Sequence, residues 1–192
     1  MKSNWNSSSL GDMIALVIDY RGKTPKKLGS DWATKGYRAL SAKNIKTGQI
    51  VQPDTIKFAD TNLYNRWMKD EVQRGDILIT SEAPFGEVFL WDSDEKIILS
   101  QRLFALRCKM GFYPSFVYYY MTGEQFQGEL RGRATGTTVT GLRQPELLKC
   151  RIHYPCYTEQ QAIADMLSVL DARIAENKKI NHHLDTPARL AA

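Results

Sequence analysis

The sequence predicts an α+β fold, in which a globular body with a twisted, mainly antiparallel sheet and short helices precedes a long C-terminal coiled-coil helix. Three observations support this prediction. Short apolar stretches separated by Gly, Pro, Asp and Ser are typical of strands. Aromatic residues then recur at helical spacing, and a charged segment with heptad periodicity closes the chain. We place the domain boundary where this last segment begins, giving a body of residues 1–157 and a helix of residues 158–192.

Four apolar stretches predict the strands of the body: 76–80, 87–91, 97–100 and 103–109. After them, Pro114 and Ser115 introduce aromatic and aliphatic residues at intervals that suit one or two short helices packed on the sheet. Those residues are Phe116, Tyr119, Tyr120, Phe126 and Leu130. We interpret the Tyr118–Tyr120 run as core and surface packing rather than as a platform for stacking bases.

The clearest structural signal is a predicted helix start at Thr158. Thr158 and Gln161 match a capping box, in which the hydroxyl accepts from a backbone amide and the glutamine reaches back. The predicted helix runs to about Asp185, roughly 40 Å at 1.5 Å per residue. Pro187 is expected to break or restart it, since proline lacks an amide hydrogen.

Apolar and amide residues follow this helix at alternating intervals of four and three, as in the seam of a coiled coil. The predicted seam residues are Ile163, Leu167, Leu170, Ile174, Asn177, Asn181 and Leu184. Two asparagines in a seam lower the stability of a coiled coil but fix the register of its helices, because each buried amide needs a hydrogen-bonding partner directly opposite on the other helix. We therefore expect a homodimer formed through this helix. The alternative is an amphipathic helix folded back on the body.

Composition narrows the class of protein. The 192 residues, 43% of them hydrophobic, can bury a core, and the formal charge of +5 favours polyanionic partners. Three cysteines and no signal peptide predict reduced thiols in the cytoplasm. No apolar run reaches the roughly 18 residues that would cross a membrane.

Sequence motifs for catalysis or metal binding are weak. Pro53-Asp54 with Asp94-Glu95-Lys96 fits a magnesium nuclease only formally, because the intervening stretch is long. The chain lacks the adenine-methyltransferase loop, of which the 81–85 segment is the nearest fragment, and has no phosphate-binding glycine loop. Cys150, His153 and Cys156 lack a fourth zinc ligand. We expect no catalytic residue, metal or cofactor, although a small stand-alone nucleic-acid enzyme stays open as an alternative.

Several motifs follow one another along almost the whole chain: Trp5, Leu10-Gly11-Asp12, Arg21-Gly22-Lys23-Thr24-Pro25, Gly75-Asp76-Ile77-Leu78 with Gly86, Ser100-Gln101-Arg102-Leu103, Gly136-Thr137-Thr138 with Leu142, and Pro155, Glu159-Gln160, Ile163-Ala164, Leu170-Asp171, Ile174 and Asn177. In this fixed order they resemble half of a type I restriction-modification specificity subunit, with one target recognition domain and one conserved-region helix. A complete subunit of the family carries two such domains and two such helices.

The resemblance implies sequence-specific recognition of double-stranded DNA by a non-catalytic subunit. Methylation and ATP-dependent cleavage would then belong to separate modification and restriction subunits. It also implies that one domain reads one half of a bipartite target. A coiled-coil interaction protein with no DNA role is the remaining alternative.

DNA binding requires cations and amides on exposed loops, for phosphate and base contacts respectively. The predicted contacts are Arg21, Lys23, Thr24, Lys26, Arg38, Ser41, Lys43, Asn44, Arg131, Arg133, Thr137 and Arg143. Lys23 and Arg133 are expected to contact phosphates and Asn44 a base. The competing interpretations are a hydrated basic turn around Gly22, turn chemistry around Ser41, and a structural role for the Gly-Thr segment.

Overall fold

A computed structural model describes residues 5–135 and 141–189, with side chains as far as residue 181. It confirms the α+β class. The elements are β1 (Asn6–Ser9), α1 (Leu10–Met13), β2 (Ile14–Asp19), β3 (Tyr37–Leu40), β4 (Ile45–Lys46), β5 (Gln49–Ile50), β6 (Lys57–Ala59), α2 (Thr61–Trp67), β7 (Ile77–Thr80), β8 (Val88–Leu90), β9 (Ile98–Leu99), β10 (Leu103–Cys108), α3 (Pro114–Thr122), α4 (Glu124–Arg133), α5 (Gln144–Lys149), β11 (Arg151–Tyr154) and α6 (Tyr157–Arg189).

The described strands form four small sheets, where the sequence led us to expect one. The central sheet has the order β2-β10-β7-β8 and is antiparallel throughout. A second sheet has the order β6-β3-β9, and its β3–β9 pair is parallel. Two-stranded pairs join β1 to β11 and β4 to β5. Pairings such as β1 with β11 connect the two ends of the body, which local sequence patterns do not reveal.

The central sheet is buried on both faces. Ile79 and Phe104 face one apolar cluster, which contains residues of α3 and α4, whereas Leu78 and Ala105 face a second cluster with α2 and the β6-β3-β9 sheet. Alternation along each strand sends successive side chains to opposite faces. Burial on both faces explains why these strands read as continuous apolar runs, and why their predicted limits agree with the structure to within a residue or two.

The start of α6 differs from the predicted capping box. The helix begins at Tyr157, so Thr158 lies inside its first turn, and the Gln160 amide donates to the Cys156 carbonyl at 3.0 Å. Gln160, not Gln161, makes the anchoring contacts: its side chain is buried, donates to the Pro155 carbonyl and accepts from the Tyr113 amide. The prediction failed because Gln160 satisfies backbone groups of the body, a tertiary contact that a local motif does not include.

The far end of α6 also differs from expectation. The helix continues through Pro187 to Arg189. A proline removes one amide donor, but the carbonyl left without it can be hydrated where the helix projects from the body.

Within the described residues, no helix is long and apolar enough to span a membrane.

Candidate nucleic-acid interface

Several irregular loops meet at one edge of the central sheet. Antiparallel pairing places the end of β2, the end of β7 and the start of β10 side by side, as shown by the pairs Asp19–Phe104 and Thr80–Leu103. Parallel pairing of β3 with β9 brings the residues after Leu40 to the same place. We call this set of segments the loop edge; it comprises residues 20–26, 41–43, 81–87, 100–102 and 141–143.

Backbone hydrogen bonds tie these loops to one another. The carbonyl of Gln101 accepts from the Ala42 amide at 3.0 Å, and that of Arg102 accepts from the Ser81 amide at 2.8 Å. The Ser81 carbonyl in turn accepts from the Leu142 amide at 2.9 Å. The 100–102 turn is therefore fixed from both sides, and a sheet buried on both faces supports it. Such a scaffold can hold side chains in fixed positions toward a large ligand.

Arg21 connects two of these loops instead of standing free. Its guanidinium donates to both carboxylate oxygens of Asp19 at 2.9 Å and lies 4.0 Å from the centre of the Phe104 ring. A further bond at 3.3 Å reaches the Leu142 carbonyl. Because every part of the guanidinium has a partner in the protein, the geometry favours a positioning role for Arg21.

Lys23 is also engaged within the protein. Its ammonium donates to the carbonyl of Trp67, the last residue of α2, and lies 4.0 Å from the centre of the Tyr20 ring. A cation at a helix C-terminus is stabilised by the helix dipole. Partial burial, followed by the nearby charge of Lys69, lowers the pKa of Lys23. Lys23 is thus a cap of α2, whereas Lys26 and Lys27 of the same basic turn are exposed.

Asn44 corrects one sequence prediction. Its side chain is fully buried and its amide group bonds to Ser41, Gln52 and Thr55, so it holds a turn and is not available to a base. The Ser41 hydroxyl donates to the side-chain oxygen Oδ1 of Asn44 at 2.9 Å. A polar residue between two strands serves a turn as readily as it serves a ligand, which is why the sequence misled us.

The predicted arginines outside the loop edge are paired. Arg38 forms a two-point ion pair with Glu95, with Nε to Oε1 at 2.7 Å. Arg131 pairs with Glu124 at the surface of α4. Arg133 contacts Glu129 at 2.8 Å and Glu146 at 3.7 Å, and the hydrogen bond that it donates to Glu129 raises the pKa of Arg133.

Three predicted cations remain exposed at or next to the loop edge: Lys26, Lys43 and Arg143. A recess lined by Thr24, Lys26 and Gln101 connects the first loop to the 100–102 turn. Thr24 is half-buried, and its hydroxyl accepts from the Lys27 amide at 3.3 Å. Thr137, with its neighbours Gly136 and Thr138, lies outside the described residues.

Gln101 and Arg102 are two further candidates for DNA contacts. In the sequence they stand out only as part of the family motif at residues 100–103. Both side chains are exposed at the centre of the loop edge. Arg102 has a backbone φ of 64°, in the left-handed region, and Ala83 on the facing loop has 43°. Non-glycine residues in that region cluster at functional sites. The only sequence signal was a polar interruption between two apolar strands.

The formal nuclease motif does not assemble. Asp94 pairs with Arg74, Glu95 with Arg38 and Lys96 with Glu71, so the three side chains point to separate partners. Among the described residues, no group of three or more potential metal ligands converges. Cys150 belongs to the apolar core, where burial raises its pKa to about 11, and His153 meets the Tyr120 hydroxyl at 2.9 Å.

The predicted seam of α6 is divided between two surroundings. Ile163 and Leu167 are partly buried, with Ile163 against the body, whereas Leu170 and Ile174 remain 50% and 51% exposed. Asn177 and Asn181 are exposed, and the Leu184 side chain lies outside the described residues. Three further apolar side chains widen the exposed stripe: Met166, Val169 and Ile180. The stripe is therefore broader than the predicted seam, and its residues Leu170 and Ile174 line a groove together with Tyr118 and Tyr119 of the body.

Comparison with known proteins shows which family this architecture belongs to. A family model described as "Type I restriction modification DNA specificity domain" matches residues 2–186. Since this match spans almost the whole sequence, the chain belongs to that family.

Two curated proteins of Methanocaldococcus jannaschii are similar to the chain. The type I restriction enzyme MjaVIII specificity subunit is 28% identical over 163 residues, covering 81% of this chain and 38% of that protein. The MjaIX specificity subunit is 31% identical over 112 residues, covering 58% and 26%. The chain thus matches less than half the length of either relative.

Solved structures share the fold. The S subunit of a type I restriction-modification system from M. genitalium superposes with a TM-score of 0.63 at 20% identity, covering 91% of this chain and 41% of that one. The HsdS subunit from Thermoanaerobacter tengcongensis gives 0.66 at 17% identity, covering 94% and 45%.

Proposed function

We propose that this chain recognises double-stranded DNA in a sequence-specific manner as a specificity subunit, or half of one, of a type I restriction-modification enzyme. The observation that supports this most is the loop edge. There, exposed Lys26, Lys43 and Arg143 surround the fixed 100–102 turn, so cations for phosphates lie beside side chains suited to bases. Residues 1–157 would form the recognition domain and residues 158–192 a spacer helix.

The chain would supply recognition and no catalysis. Its partners would be a modification subunit that methylates and a restriction subunit that cleaves with ATP, so the chain itself would need no cofactor. Because the proposed ligand is DNA, we expect the protein to be located in the cytoplasm. The ion-paired acidic side chains of the formal nuclease motif agree with a non-catalytic role.

The α6 stripe supports the second part of the proposal, a homodimer. Leu170, Ile174 and the other apolar residues of the stripe are 48–70% exposed, and such a stripe on a long helix is covered most simply by a second helix. In the family, two conserved helices run antiparallel within one subunit. Two copies of this chain would supply two helices and two recognition domains, separated by the helix length.

Selection of bound sequences from random duplex DNA tests the function. The chain is incubated with its modification subunit, and the retained duplexes are sequenced. We expect a short enriched motif, bipartite if the chain pairs. Retention without enrichment, at any salt concentration, would contradict sequence-specific recognition.

Two simpler assays separate the alternatives. A coiled-coil protein without a DNA role would bind no duplex even at low salt, where phosphate contacts are strongest. A small nuclease would turn over DNA with added Mg²⁺ and no partner subunit. We expect salt-sensitive binding and no turnover.

A further inference from the structure

We propose that Arg102 is a specificity-determining residue that reads guanine, and that Glu82 on the facing loop holds its guanidinium in the reading orientation. This inference rests on the proposed DNA-binding function and assigns a base contact within it. It begins from the position of Arg102. The turn between β9 and β10 is the centre of the loop edge, and its two exposed side chains, Gln101 and Arg102, stand between the buried residues Ser100 and Leu103.

The backbone under Arg102 is fixed before any ligand arrives. Its carbonyl accepts from Ser81, and the preceding carbonyl accepts from Ala42. The left-handed φ of 64° gives the Cα–Cβ bond a direction that an ordinary turn would not. Preorganisation of this kind lowers the conformational entropy lost on binding, which suits a side chain that must distinguish bases.

The contact with Glu82 explains how the guanidinium would be presented. The nearest atoms of the pair are Arg102 Nε and Glu82 Oε1, 3.1 Å apart, and the side chains are 50% and 33% exposed. A carboxylate on the Nε side does not occupy the end of the guanidinium that carries both terminal nitrogens, and half of the side chain is exposed. That edge has the geometry for two parallel hydrogen bonds to guanine O6 and N7.

Glu82 also makes a phosphate contact at this position unfavourable. A carboxylate within ion-pair distance of Arg102 would repel a phosphate placed on the same guanidinium. A guanine edge presents neutral acceptors, so the carboxylate can stay in place while the base is read. The other exposed cations of the loop edge, Lys26, Lys43 and Arg143, have no such carboxylate partner among the described residues and suit phosphates better.

Arg74 provides a matched control. It lies before β7, at the opposite edge of the same sheet, is 52% exposed, and pairs with the carboxylates of Asp92 and Asp94. Exposure and ion pairing are therefore alike in the two arginines. Their difference is the edge of the sheet on which they stand.

The test repeats the selection of duplexes with Arg102→Lys, which keeps the charge but loses the planar fork, and with Arg74→Lys. We expect the parent motif to contain a guanine whose preference falls at least about 5-fold in Arg102→Lys, with little loss of affinity for random duplex. Arg74→Lys should leave the motif unchanged. Glu82→Ala should weaken the same guanine preference while raising affinity for all sequences, because a negative charge leaves the interface.

Three results would overturn the proposal. An unchanged motif in Arg102→Lys would remove the base contact, and an equal change in Arg74→Lys would show that the effect is not local. An Arg102→Ala variant whose affinity falls equally for every sequence would make Arg102 a phosphate ligand. If the parent chain enriches no motif, the DNA-recognition function itself fails, a result distinct from these three. Circular dichroism of each variant confirms that the fold is retained.

Discussion

Both edges of the central sheet carry charged side chains but use them differently. At the edge where β7 begins and β10 ends, Arg107 bonds to both oxygens of the buried Asp76 at 2.9 and 2.8 Å, and Lys109 donates to the Asp12 carbonyl. At the loop edge, Arg21 and Lys23 are engaged in the same way, but among the described residues the exposed ammonium groups of Lys26 and Lys43 have neither a carboxylate nor a carbonyl partner. Exposed cations without a partner in the protein, more than total charge, therefore distinguish the candidate interface.

The largest effect should come from the edge opposite the loop edge, where β7 begins and β10 ends. Asp76→Ala would leave the Arg107 guanidinium without its buried partner, and we expect the free energy of unfolding to fall by about 3 kcal/mol, measured by urea titration. Asp92→Ala, which removes a 77% exposed partner of Arg74, is the control and should cost less than about 1 kcal/mol. Equal losses in the two variants would show that the burial of Asp76 does not make its ion pair more important for stability than an exposed pair at the same edge.

A second large effect concerns α6. Leu170→Asp or Ile174→Asp places a carboxylate in the exposed stripe, and burying an unpaired charge between helices costs several kcal/mol. We expect the parent chain to sediment as a dimer and each Asp variant as a monomer. Ala172→Asp is the control, because at 100° per residue it faces nearly away from both positions. A monomeric parent at high micromolar concentration would remove the pairing argument.

A moderate effect is expected from the exposed cations of the loop edge. Lys43→Ala and Arg143→Ala should each weaken binding to all duplexes equally. Each should also reduce the slope of the logarithm of the binding constant against the logarithm of the salt concentration by about one. Lys109→Ala at the opposite edge should change neither quantity. Altered sequence preference in the first two variants would assign them to bases instead of phosphates.

The smallest effect tests how closely the loop backbone approaches DNA. A Cβ added at the exposed Gly22 would meet no atom within 4 Å, so Gly22→Ala should leave the melting temperature unchanged. If a phosphate contacts this backbone, the methyl group should weaken binding several-fold. Unaltered DNA affinity would indicate that Gly22 does not lie against DNA.

The sequence predicted the parts of the fold that depend on local patterns. Continuous apolar runs predicted the strands β7, β8, β9 and β10. Such runs are buried on both faces of the sheet and contain no turn-forming residues that would indicate another structure. The long helix was predicted from its periodicity, but its start was not, since Gln160 acts through the body. Which face of α6 stays exposed depended on where the body lies, so Met166, Val169 and Ile180 were not included in the seam.

The interface was harder to predict because the same residue types serve turns, caps and ligands. Asn44 and Lys23 are residues of types that commonly contact DNA. Asn44, however, is buried in a turn, and Lys23 caps α2. Arg102 was not selected, because its left-handed backbone and its Glu82 neighbour come from pairing between distant strands. Polar side chains in loops acquire their roles only from such pairings.

Lysine modification in the presence of DNA tests the central claim that the loop edge faces the duplex. The folded chain is acetylated at low salt with and without duplex DNA, and the modified lysines are identified by mass spectrometry. The account predicts that Lys26 and Lys43 are protected by DNA while Lys109, at the opposite edge of the sheet, reacts equally in both samples. Protection of Lys109 with unchanged reaction at Lys26 and Lys43 would contradict it.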